Sequence, residues 1–171
     1  MVKKEAPKPA VEVLGEIKLL KSFTEGELGT LLKLGKETEY EAHTNILIEG
    51  ELSWGLYLIL DGMVGIFKAN KMTGDSYDIG ELRTGSFFGE MSLLDENPRS
   101  ATVRAMTNCS LFYLSKKEFL EFLNHNNDLK LRFFHDAVRN LVGRLRELDD
   151  NYVISQFQLW QSALRRETQA Q

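Results

Sequence analysis

The chain has little of what would place it outside the cell, in a membrane or along nucleic acid. One cysteine in 171 residues, Cys109, cannot close an internal disulfide, and its setting in CSLFYL suits a small buried hydrophobe better than a nucleophile. No apolar run approaches the roughly 20 residues needed to span a bilayer. The N-terminus, MVKKEAPKPAVEV, has lysines and prolines but no apolar segment leading to a small-residue cleavage site. It reads as a disordered arm over residues 1–12, and the protein is expected in the cytoplasm. Excess positive charge is missing as well: a net charge of −4 argues against broad contact with a phosphate backbone. His43, His125 and His135 stand apart, with no carboxylate or cysteine at ligand spacing, and no serine sits in a nucleophile elbow. Neither a metal centre nor enzyme activity is expected. What is there, 43% hydrophobic and 27% charged residues, is ordinary globular composition with enough chain for one core.

Along the chain, VLGEIKLLKSF reads as a short helix, and Thr24 with Glu27 forms a capping box before LGTLLKLG. From Glu37 to Leu114 the pattern changes to short alternating or apolar segments: ETEYEA, NILIEG, LYLIL, MVGIFKA, SYDIGEL, SATVRAM and SLFYL. Gly, Asp, Asn and Ser separate them, which predicts a many-stranded antiparallel sandwich or barrel. Asp61-Gly62 marks a tight turn and MTGDS a looser hairpin tip, so the sheet is expected to be built from local hairpins. Ser115 and Glu118 then open the helix KKEFLEFL, closing near Asn124.

From Asp128 to about Thr168 there is no proline, and Phe134, Val138, Leu141, Leu145, Leu148 and Tyr152 recur at three-and-four spacing. This is one long helix, assigned to residues 128–171. A second stripe, Val153, Phe157, Trp160 and Leu164, lies on a rotated face. The first part of the helix should pack on the chain's own barrel. At roughly 60 Å the rest overshoots a domain of this size, and the expected cover is a second copy, giving a homodimer.

The stretch FFGEMSLLDENPRSATV, Phe87 to Val103, carries the chemistry. Gly85 and Gly89 allow a sharp turn and close approach to a ligand, and Met91 to Leu94 can form one helical turn whose amides suit an anion. Arg99 can grip two phosphate oxygens side by side, with the Ser100 hydroxyl beside it. Glu90, an acceptor, suits a neutral hydroxyl such as a ribose 2′-OH. Taken alone, the two residues favour the alternative in which Glu90 and Arg99 merely pair with each other across a bend in the barrel.

The wider segment GSFFGEMSLLDENPRSATVRA closely resembles the phosphate-binding cassette of the cyclic nucleotide-binding domain family, that of catabolite activator proteins and protein kinase A regulatory subunits. Phe88-Gly89-Glu90, Met91 to Leu94, Pro98-Arg99-Ser100-Ala101-Thr102 and Val103 match its parts, and NILIEGELSWGLYLILDGMVGIF resembles the earlier strands. The resemblance runs from about Leu14 to Asp149. It implies a mainly β fold, a double-stranded β-roll with flanking helices over residues 13–127, followed by the long helix as lid and dimerisation element. It further implies Glu90 on ribose, Arg99 and Ser100 on the cyclic phosphate, and supporting amides from Gly89, Met91 and Ser92 and at Ala101. Ile66, Ile79 and Leu82 match positions lining the base and ribose pocket, and are equally compatible with barrel core. Asp149 falls near the lid position, where a carboxylate could accept from either purine. The expected ligand is cAMP, with cGMP or a cyclic dinucleotide as alternatives, and no cofactor is implied. Gene activators of this family carry a helix-turn-helix domain after the long helix; with the sequence reaching Gln171, no DNA-binding domain is expected. The function that follows is a receptor signalling through its C-terminal helix to a second subunit or an unidentified effector protein. The competing reading is a docking module of the same fold that works without ligand.

Overall fold

The computed structural model describes residues 10–53, 55–95 and 97–169. Most of the arm expected at residues 1–12 lies outside them, but Ala10 to Glu12 do not belong to an arm: helix α1 spans Ala10–Glu16, with Val13 and Leu14 buried. The single helix read from VLGEIKLLKSF is in fact α1 followed by a 3₁₀ turn at Lys18–Leu20. Ile17 breaks the α-helix by taking extended backbone, which lets Leu19 and Leu20 turn into the core. Helix α2 (Glu25–Leu34) opens on the expected box: the Glu27 amide donates to Thr24 Oγ1 at 3.3 Å, and the Thr24 amide donates to Glu27 Oε2 at 2.7 Å.

Eight strands follow: β1 (Lys36–Tyr40), β2 (Asn45–Leu47), β3 (Gly55–Asp61), β4 (Met63–Ala69), β5 (Ser76–Arg83), β6 (Phe87–Phe88), β7 (Thr102–Ala105) and β8 (Cys109–Ser115). They form two four-stranded antiparallel sheets, ordered β1-β8-β3-β6 and β2-β7-β4-β5. This is the double-stranded β-roll. It is not built from local hairpins, however: among the described residues β4–β5 is the one consecutive pair that shares a ladder. Asp61-Gly62 makes a turn but no hairpin, because β3 and β4 belong to opposite sheets and the turn is the corner between them. Gly62 sits at φ 101°, and a Cβ there would lie 2.6 Å from the Asn108 carbonyl oxygen, so the corner admits glycine alone without rearrangement. Two-residue β6 was not legible as a strand, being too short to show alternation.

The roll has two apolar layers. Ile59, Val64, Phe88, Val103, Ala105, Cys109 and Leu111 fill the space between the sheets. Leu56, Leu58, Phe112 and Leu114, one residue out of phase, face α1, α2 and the later helices. Strand β3 therefore buries both faces, which is why LYLIL reads as a continuous apolar run. Helix α4 (Lys116–Asn124) starts at Ser115, whose Oγ accepts from the Glu118 amide at 3.3 Å.

Helix α5 (Asn127–Gln169) runs unbroken for 43 residues, about 65 Å at 1.5 Å per residue. Leu129, Phe133 and Ala137, spaced by four, seat it on the core, with Phe134 packed at the edge. Beyond them the side chains emerge: Val138 is 56% exposed, Leu145 58% and Leu148 64%. Own-domain packing thus ends earlier than the first apolar stripe does. Val153, Phe157 and Trp160 of the second stripe are also exposed, and the Leu164 side chain lies outside the described residues.

Candidate functional site

Strand β6 delivers the chain to Gly89, whose φ is 82°. A Cβ at Gly89 would lie 2.7 Å from the Gly55 carbonyl oxygen and 2.8 Å from Arg99 Nη1, so both backbone conformation and space require glycine. Glu90 then stands at the N-cap position of the single turn α3 (Met91–Leu94), its side chain making no capping bond. Arg99 enters from the other side. Its amide donates to the Glu51 carbonyl and its carbonyl accepts from the Gly50 amide, each at 2.9 Å, which pins the residue against the loop before β3.

The Arg99 side chain points into the end of the roll and is 6% exposed. Nε donates to Ser53 Oγ at 2.9 Å, Nη1 to Ser92 Oγ at 3.0 Å and to the Gly89 carbonyl at 3.2 Å, and Nη2 to the Gly55 carbonyl at 3.2 Å. Every acceptor among the described residues is neutral. Desolvation pulls the guanidinium below the usual arginine range, opposed by Tyr57, Tyr113 and, last, Glu90. Burial pushes the Tyr57 hydroxyl well up, and its ring stacks on Phe88 at 5.0 Å.

Glu90 and Arg99 do not pair with each other. The Glu90 carboxylate, 10% exposed, accepts instead from Nη1 of Arg144, which reaches back from α5. Nη2 of Arg144 donates to the Phe87 carbonyl at 3.3 Å, and its guanidinium lies 5.0 Å from the centroid of the Phe87 ring. A second cation borders the cassette. Lys68 Nζ donates to Glu49 Oε1 at 2.6 Å and to the Ser100 carbonyl, while Glu49 Oε2 accepts from the Ala69 amide at 2.9 Å. That amide and Lys68 hold the Glu49 carboxyl below its usual range.

The structure gathers Gly89, Glu90, Ser92 and Arg99 tightly and leaves Met91 and Ser100 exposed beside them, with Ser100 Oγ 3.6 Å from Met91 Sδ. Ala101, half-buried, leads from Ser100 into β7. The residues expected in the base pocket divide. Ile66 is half-buried on β4, opposite Gly80 and Val103. Leu82 packs against the inter-sheet core and also lines a cleft of about 990 Å³ between the 3₁₀ turn, the β5–β6 connection and α5. Ile79 is 59% exposed, at the irregularity where the β4–β5 register shifts. Asp149 is exposed. Five residues beyond Arg144, it lies about 140° around the helix and so faces away from the cassette.

The family model of the cyclic nucleotide-binding domain matches residues 37–126, from β1 to the end of α4. The chain belongs to the cyclic nucleotide-binding domain family. It is 36% identical over 104 residues to the cyclic AMP receptor protein of Thermus thermophilus, covering 61% of this chain and 46% of that protein. The crystal structure of the Thermus thermophilus catabolite activator protein superposes with a TM-score of 0.70 at 28% identity, covering 82% of this chain and 63% of that one. The regulatory domain of Toxoplasma gondii PKA, crystallised with cAMP, gives 0.61 at 28% identity over 66% of this chain and 42% of that one. The chain spans about half the length of the curated relatives it matches, 46% and 56% for the first two.

Within this cyclic nucleotide-binding domain, Arg144, Lys68, Glu49 and Ser53 escape sequence reasoning. Lys68 and Glu49 stand 19 residues apart on separate elements, and Arg144 is 54 residues from Glu90, so no local pattern joins them. Ser53, in the loop just before β3, carried a usable signal: a hydroxyl beside the glycine that the cassette must approach.

Proposed function

We propose that the chain is a receptor for a cyclic nucleotide, with cAMP its preferred ligand, and that it passes the binding signal through α5. The observation that carries this reading is Arg99, a guanidinium 6% exposed whose four hydrogen bonds among the described residues all go to neutral groups. A buried cation with no carboxylate hydrogen-bonded to it among the described residues is costly to keep, and a site that must accept an anion justifies it. In the complex Arg99 exchanges hydroxyl and carbonyl acceptors for two oxygens of the cyclic phosphate. Ser100, exposed at the rim, adds a hydroxyl. Amides from Gly89 to Ser92 and at Ala101 support the phosphate, and Glu90 accepts the ribose 2′-OH. The relatives fit: one is named a cyclic AMP receptor, and another was crystallised with cAMP.

With Asp149 turned away, purine selectivity falls to Ser100, which lies between the threonine that accompanies cGMP and the alanine that accompanies cAMP in this family. The exposed stripe on α5 is the route out of the domain. A second copy covers it in a homodimer, and an effector protein reads the change in helix position. Isothermal titration with cAMP, cGMP and a cyclic dinucleotide tests the reading. The expected order is cAMP first by at least tenfold, about 1.4 kcal/mol. The reverse order would move the assignment to cGMP, and no binding by any of the three would leave a docking module.

A further inference from the structure

On the functional reading above, we propose that Lys68, held by Glu49, is a positioning residue of the nucleotide site: it clamps the Ser100 carbonyl and thereby aims the Ala101 amide at one exocyclic oxygen of the cyclic phosphate.

The second half of the cassette is tied down unevenly. Arg99 is pinned on both sides of its backbone, its amide donating to the Glu51 carbonyl and its carbonyl accepting from the Gly50 amide, each at 2.9 Å. Thr102 is fixed by its pairing with Phe67 and by its Oγ1, which accepts from the Glu49 amide at 3.0 Å. Between these anchors lies the peptide that joins Ser100 to Ala101. Ser100 is exposed and Ala101 only half-buried, so packing does not hold that peptide. A planar unit between two fixed points can still turn about the soft dihedrals on either side of it. Lys68 removes that freedom, because its Nζ donates to the Ser100 carbonyl.

Peptide planarity carries the effect across to the other atom. In a trans peptide the carbonyl and the following N–H point in opposite directions, so holding the Ser100 oxygen on the Lys68 side sends the Ala101 N–H the other way. Among the described residues that amide has no hydrogen-bond acceptor. It is a donor already aimed and still unused, and an anion beside Arg99 would use it.

Lys68 is itself held in place. Glu49 Oε1 accepts from Nζ at 2.6 Å while Oε2 accepts from the Ala69 amide at 2.9 Å, so one carboxylate grips two adjacent residues at the end of β4. The lysine side chain is 42% exposed, and a lone ammonium of that exposure would gain little from one carbonyl. With the Glu49 carboxylate as a second acceptor its position is fixed. Charge within the pair is balanced by the same contact. Lys68 therefore adds little net attraction for the phosphate, and its contribution is geometric, unlike that of Arg99.

The test is isothermal titration of the full chain with the two phosphorothioate diastereomers of cAMP. Each carries sulfur, a weaker hydrogen-bond acceptor, in place of one exocyclic oxygen. Wild type should prefer the diastereomer that keeps oxygen opposite the Ala101 amide, by roughly tenfold, the low end for a hydrogen bond to a charged group. Lys68→Met combined with Glu49→Gln removes the clamp at unchanged net charge. It should shrink that preference at least threefold and weaken cAMP itself by a similar factor. Lys68→Arg keeps a cationic donor for both oxygens and should hold the preference within twofold of wild type. Lys68→Met alone gives the reading should the double variant fail to fold: the unpaired Glu49 weakens both diastereomers, and the ratio between them still falls.

A purely structural role for Lys68 would weaken both diastereomers in proportion, so an unchanged ratio in the methionine variants overturns the proposal. A wild type that binds both diastereomers equally also overturns it. In either case, cAMP binding that depends on Arg99 leaves the receptor reading standing. If wild type binds no cyclic nucleotide, both fall together.

Discussion

Single residues decide the site, and Arg99 is the sharpest case. Replacing it with alanine removes the charge opposite the phosphate, on the order of 3–5 kcal/mol by analogy with broken buried pairs, so cAMP affinity should fall roughly two to three orders of magnitude. The ligand-free cost has a different source from the ion pair that the sequence suggested, because Glu90 belongs to Arg144. Ser53, Ser92, Gly55 and Gly89 lose donors, about 1–3 kcal/mol, offset in part by removal of a desolvated cation. Titration and urea unfolding of the same variant separate the two effects, and an Arg99→Ala protein that binds cAMP like wild type would refute the site. Gly89→Ala should cost about 2 kcal/mol or more, since it adds a strained φ to contacts of 2.7 and 2.8 Å with Gly55 and Arg99; a urea midpoint equal to wild type would contradict this. Glu27 sets a pH dependence. Desolvation raises its pKa, but hydrogen bonds from Arg132 and Thr24 and the Arg132 charge together hold it below the usual glutamate value. A carboxyl whose pKa is lower when folded adds stability above the unfolded value and loses it as pH falls through the folded one. Glu27→Gln should therefore be less stable than wild type at neutral pH, with the gap closing below about pH 4.5. Urea midpoints across that range check the sign.

At the scale of elements, α5 has two parts with different obligations. The first is anchored by Leu129, Phe133 and Ala137 and behaves as part of the core. The second exposes Leu145, Leu148 and Tyr152 on one side and Val153, Phe157 and Trp160 on another. A free helix with that much apolar surface is better covered, and the three-and-four spacing suits a second copy of itself. Leu145→Lys with Leu148→Lys should yield a monomer by sedimentation at tens of micromolar, whereas wild type should sediment as a dimer. A wild-type monomer with and without ligand would sink the dimer. Gly143, with open space around it, costs the helix about 1 kcal/mol relative to alanine. Gly143→Ala should therefore stiffen and stabilise α5 by about that amount.

For the whole molecule, the roll, the cassette and α5 form one linked system, so ligand should stabilise the fold as a unit. At a hundredfold excess over the dissociation constant the gain is about 2.7 kcal/mol, which for a chain of this size raises the melting temperature by roughly 5–10 °C. Calorimetry with saturating cAMP checks it, and Arg99→Ala should show almost none of the shift.

The sequence by itself determined whatever local chemistry writes down. The Thr24–Glu27 box, the Asp61-Gly62 turn and the length of α5 depend on neighbours within a few residues, and periodicity and spacing report those faithfully; the run from Gly89 to Ala101 was legible through its resemblance to the family's cassette. The pairing of strands was not written there. Seven of the eight strands were visible as segments, yet five of the six ladders join strands that are not consecutive, and loop closure over such distances leaves no trace in a short window. The same is true of the partners of the charged groups. Nothing near Glu90 in the chain announces Arg144, and nothing near Arg99 announces that its acceptors would all be neutral. Those choices were made by the tertiary structure, because electrostatics and burial act through space while sequence patterns act along the chain.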